Sequence, residues 1–75
     1  MPTYYVNLSK FESVKRFVEV SSSKSCFVLL KSSRYVVDGK SILGIFSLDL
    51  SKPVALEVGD GDYAAFDAFR INSEV

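Results

Sequence analysis

The chain has 75 residues, equal numbers of Lys+Arg and Asp+Glu, no histidine and one cysteine. At 48% hydrophobic residues, with six Phe and four Tyr, it can build one globular core over residues 1–75, which excludes a disordered segment. Its net charge of zero excludes the cationic footprint of a nucleic-acid binder. No charged apolar leader opens it and no run approaches the roughly 18 apolar residues of a membrane span, so a cytoplasmic location without membrane contact is expected.

The β-prone run Thr3–Leu8, carrying Tyr4, Tyr5 and Val6, predicts a first strand. Ser9 and Glu12 have capping-box spacing, each side chain able to reach the other's free backbone N–H at a helix start. Phe11, Val14, Phe17 and Val18 then fall on one helical face, with Lys10, Lys15, Arg16 and Glu19 away from it. The triplet Ser21-Ser22-Ser23 predicts the end of that helix, because serine hydroxyls compete for backbone hydrogen bonds. Cys26, unable to form an internal disulfide, sits in an apolar run and is expected as a small buried hydrophobe rather than a reactive thiol.

Two short strands, Cys26 to Lys31 and Arg34 to Val37, are separated by Ser32-Ser33 and predict a hairpin. Asp38-Gly39 turns the chain into Ser41, an N-cap for a short helix from Ile42 to about Leu48. A loop from Asp49 to Pro53 leads to Val54, Leu56 and Val58, which alternate with Ala55 and Glu57 as in a strand with one buried face. Gly59-Asp60-Gly61-Asp62 is turn chemistry with N-cap candidates; its spacing is incomplete for a calcium loop, so no metal site is expected. Ala65, Phe66 and Phe69 line a last helix. The order β-α-β-β-α-β-α predicts an α+β domain: a four-stranded antiparallel sheet with three helices on one face and the other face open.

The middle helix is apolar on too many sides. At about 100° per residue, Ile45 and Leu48 share one side, while Ile42, Leu43 and Phe46 make a second; Gly44 points away from both. One stripe is enough for a surface helix, so the other either folds under a neighbouring loop or is exposed to a partner. Ser41 reads as a cap contributing about 1 kcal/mol. A phosphate there would also be accommodated, since it meets free amides and the positive end of the helix dipole.

The segment Asp38-Gly39-Lys40-Ser41-Ile42-Leu43-Gly44-Ile45-Phe46-Ser47-Leu48 resembles the Lys-Ser-Ile-Met/Leu-Gly-Val-Met-Ser-Leu motif of the HPr family, the small phosphocarriers of bacterial sugar phosphotransferase systems. The likeness runs from Ser9 to Gly59 without large gaps. It implies an HPr-like open-faced β-sandwich, with Ser41 matching a serine phosphorylated by a dedicated kinase. It also implies that Ile42, Leu43 and Phe46 match apolar contacts that dock enzymes and transcription regulators. The family's active-site signature His-Ala-Arg-Pro falls on Lys10-Phe11-Glu12-Ser13. Lysine stands where the phosphoryl acceptor belongs, and a carboxylate where the phosphate-binding arginine belongs would repel the group. Without any histidine there is no general base near neutral pH, so no enzyme activity and no cofactor is expected.

The leading expectation is therefore a non-catalytic regulatory or docking module linked to sugar uptake or carbon catabolite regulation. Its partners would be proteins, a serine kinase and a transcription regulator. The docking surface would combine Ile42, Leu43 and Phe46 with the charges of Lys15, Arg16 and Lys40. Two alternatives stand beside it: a true phosphocarrier, and a degenerate HPr-like domain whose Ser41 is only a cap and whose partners lie outside sugar control.

Overall fold

The computed structural model describes residues 4–32 and 35–71. Strand β1 (Tyr4–Val6) leads into helix α1 (Phe11–Ser22), then strands β2 (Val28–Ser32) and β3 (Tyr35–Asp38). Helix α2 (Ile42–Phe46), strand β4 (Val54–Val58) and a 3₁₀ helix (Tyr63–Phe69) complete the order. The four strands form one antiparallel sheet, β1-β4-β2-β3. The expected α+β class and element order hold, and the third helix is 3₁₀.

Register explains why only one face is covered. Val54, Leu56 and Val58 pair across the sheet with Val6, Tyr4, Leu30 and Val28, placing all of them on one side. That side joins Val14 and Phe17 of α1, Ile45 of α2, and Phe66 and Phe69 in a single buried cluster. Tyr5, Leu29, Lys31, Val36, Ala55 and Glu57 alternate onto the open side, where Lys31 and Glu57 form an ion pair. Such an exposed pair contributes about 0–1 kcal/mol, so the covered face carries the stability.

Several local expectations are corrected. The capping box between Ser9 and Glu12 does not form: the Ser9 N–H donates to Asn7 Oδ1 at 2.9 Å, and α1 starts one residue later with Lys10 as N-cap. The Lys10 carbonyl accepts the first helical bond, from Val14 N–H at 3.2 Å. The serine triplet does end the helix, as expected, with Ser23 as its C-cap. Ser21 is fully buried beside Val14 and Phe17, its Oγ without a hydrogen-bond partner, and the helix runs to Ser22. Cys26 is half-buried and lies before β2, which begins at Val28. Ser32 is the last residue of β2 and pairs with Tyr35, so it lies in a strand rather than in the expected Ser32-Ser33 link. Residues 33 and 34, including Arg34 as the expected start of β3, and Thr3, expected in the first strand, lie outside the described residues.

Helix α2 ends at Phe46 rather than Leu48, which is buried in the core beyond it. Asp62 is the N-cap residue of the last helix but makes no side-chain capping hydrogen bond, and Asp60 Oδ1 accepts the Asp62 N–H at 2.9 Å. Both take the Lys24 ammonium, at 3.2 Å each. The Asp62 N–H first, and then Lys24, hold the Asp60 carboxyl below the usual range despite partial desolvation. Between them Gly61 adopts φ 74, the left-handed region that glycine enters freely. Ala65 is exposed, because the three-residue 3₁₀ repeat turns Tyr63, Phe66 and Phe69 inward instead.

Candidate functional site

The turn before α2 explains how it is aimed. The Lys40 N–H donates to Asp38 Oδ1 at 2.9 Å and the Ser41 N–H to Asp38 O at 3.0 Å. Gly39 is buried in this turn, and a Cβ there would lie 2.7 Å from Val28 Cγ1 and 3.2 Å from the Phe17 ring. Only glycine lets the chain pass that close. Ser41 then caps α2 as expected: its Oγ accepts the Gly44 N–H at 3.1 Å. Gly44 faces β3, with its Cβ position 3.6 Å from Val37.

With α2 held there, its two stripes separate. Ile45 and Leu48 are buried, Ile42 is half-buried against the core, and Leu43 and Phe46 are exposed by 81% and 43%. The second stripe is thus an outward ridge at Leu43 and Phe46, with Ile42 at its foot. Phe11, expected in the core stripe of α1, is instead 60% exposed. It occupies the first turn, where the helix has no preceding turn to cover its side chain, and it stacks on Phe46 at 5.6 Å between ring centroids and 12° between planes. Lys15 extends over the Phe11 ring at 5.7 Å.

The other expected site residues are distributed unevenly. Lys10 stands exposed at the N-cap of α1, Glu12 is exposed in its first turn and Ser13 is half-buried. The Glu12 carboxylate favours the positive end of the helix but adds negative charge where an incoming anion would sit. Arg16 is exposed on α1. Lys40 is not a free flanking charge: its ammonium donates to Lys24 O at 2.8 Å and is half-buried there. Phe11 is the residue that the periodicity misassigned. Its place in the first turn of the predicted helix was the available signal.

The arrangement presents an apolar ridge with one cation over it and a capping serine beside it. Among the described residues no helix is long and apolar enough to cross a membrane. No family model matches this chain, and neither the curated proteins nor the solved structures include one similar to it.

Proposed function

We propose that this chain is a non-catalytic, HPr-like docking module of the cytoplasm, tuned by phosphorylation at Ser41 and linked to sugar uptake or carbon catabolite regulation. The observation that carries the reading is the ridge of Phe11, Leu43 and Phe46, exposed in a chain whose other phenylalanines on α1 and the 3₁₀ helix are buried. Fully burying a Phe or Leu side chain is worth about 1.5–3 kcal/mol, against about 0–1 kcal/mol for an exposed ion pair from Lys15 or Arg16. Affinity therefore comes from the ridge, and the cations orient the partner. A phosphate on Ser41 would add about −1.5 to −2 charges two residues from Leu43, changing which partners the ridge accepts. The HPr-like part of the reading is supported by the motif at residues 38–48 and by the antiparallel sheet with one open face.

The reading is tested with the family's serine kinase and ATP, followed by intact mass. Wild type is expected to gain one phosphate and Ser41→Ala none. Titration with a sugar-responsive transcription regulator is expected to show binding that Leu43→Ser, at an 81% exposed position, abolishes at unchanged melting temperature. Phosphoenolpyruvate with the first enzyme of the phosphotransferase system is expected to leave the chain unmodified. An acid-labile phosphorylated species would refute the non-catalytic reading.

A further inference from the structure

The two edges of the sheet are finished differently. Along β1 the outward backbone groups are in use: the Asn7 N–H donates to Phe69 O at 2.8 Å, the Ile71 N–H to Tyr5 O at 3.3 Å, and Val6 bridges Arg70. Along β3, among the described residues, those of Val36 are not. The Gly39 N–H donates to Val28 O at 2.6 Å, which makes 28 and 39 a hydrogen-bonded pair. Such pairs alternate in an antiparallel ladder. Leu30 and Val37 therefore exchange bonds, while Val36, opposite Lys31, turns its N–H and C=O away from β2. Asp38 also faces outward, and its C=O accepts the Ser41 N–H at 3.0 Å. Tyr35 is 68% and Val36 57% exposed. Neither proline nor lysine, the usual guards of an edge, occurs in Tyr35–Asp38.

We infer that β3 is an addition site for β3 of a second copy of this chain, antiparallel about a two-fold axis at Val36. In that register the two Val36 residues exchange N–H···O=C bonds. Tyr35 of each copy then faces Val37 of the other, on the helix-covered side of the sheet. This pairs an exposed aromatic ring with a half-buried β-branched side chain, and symmetry makes the pair twice. A foreign extended peptide would satisfy the Val36 backbone, but a second copy also brings the ring that covers Val37. Net charge zero lets two copies approach without like-charge repulsion. A four-residue edge buries little area, so the dimer is weak and concentration-dependent. This inference is independent of the ridge and of Ser41.

Sedimentation equilibrium from micromolar to millimolar concentration, with amide exchange of the same samples, tests it. The wild-type mean mass is expected to rise toward two chains, with the Val36 N–H gaining about tenfold protection or more. Val36→Pro removes a donor that β2 does not use, so it is expected to keep the fold and remain monomeric throughout. Should proline strain the strand, Val36→Lys places two charges at the axis and is expected to weaken association about tenfold or more. A wild type that stays monomeric at millimolar concentration overturns the inference. So does a dimer that persists in folded Val36→Pro or Val36→Lys, since association then runs through another surface such as the Phe11–Phe46 ridge.

Discussion

Two aromatic clusters in this small domain have similar ring separations and opposite surroundings. Phe17 lies 5.0 Å from Phe66 and 5.5 Å from Phe69, all three buried in the cluster shared with the sheet. Phe11 and Phe46 lie 5.6 Å apart, yet both face solvent. The contact between rings is therefore not what separates them. The first cluster is enclosed by valines and leucines of three strands and loses its water on folding. The second joins the first turn of α1 to the last residue of α2 and keeps much of its hydration. One cluster stabilises the fold; the other leaves apolar surface for recognition.

The largest expected effect breaks the comparison directly. Phe66→Ala should lower unfolding free energy by about 3–5 kcal/mol in urea titration. Phe46→Ala should cost no more than the stacked pair, about 0.5–1.5 kcal/mol. Equal losses would show that the ridge is core in solution. Gly39→Ala sharpens the contrast from the buried side. Its Cβ would meet Val28 Cγ1 at 2.7 Å and Val28 O at 3.0 Å, atoms in and beside a central strand, and would press on Phe17. A loss of about 1–3 kcal/mol is expected.

Ser41→Ala acts on the exposed side. It removes the acceptor for the Gly44 N–H and should cost about 1 kcal/mol, with faster amide exchange in α2 and none in the buried cluster. The smallest effect concerns the tie that holds the 3₁₀ helix against β1. The Tyr4 hydroxyl donates to Asp67 Oδ1 at 2.7 Å. Burial first, then that hydrogen bond and the Asp67 charge, push the Tyr4 phenol from 10.0 up to about 12, with Arg70 opposing. The folded protein thus holds this proton more tightly than the unfolded chain. Its contribution is complete below about pH 10 and is lost as pH rises toward about 12. Urea midpoints should fall across that window, and Tyr4→Phe should flatten the fall.

Much of the covered face was legible in the residues. Val54, Leu56 and Val58 alternate as one buried face, Val14 and Phe17 mark the inner side of α1, and Asp38-Gly39 with Ser41 marks a turn and a cap. What misled were terminal and neighbour effects. Phe11 has helical spacing to Val14, but at the first turn spacing says nothing about whether anything lies beneath the ring. Ser9 and Glu12 have the right separation for mutual capping, but Asn7 takes the Ser9 amide first. Asp62 does stand at the N-cap of the last helix, but its carboxylate, with that of Asp60, goes to Lys24, which is distant in sequence.

The amino-acid order by itself determined the element sequence, the capped α2 and the doubled apolar stripe on it, because these depend on separations of a few residues. Only the tertiary structure decided which stripe became the ridge, that Lys40 is tied to the Lys24 carbonyl, and that among the described residues the β1 edge is closed while β3 is open at Val36. Those outcomes depend on which distant segments arrive alongside, and local periodicity carries no term for that.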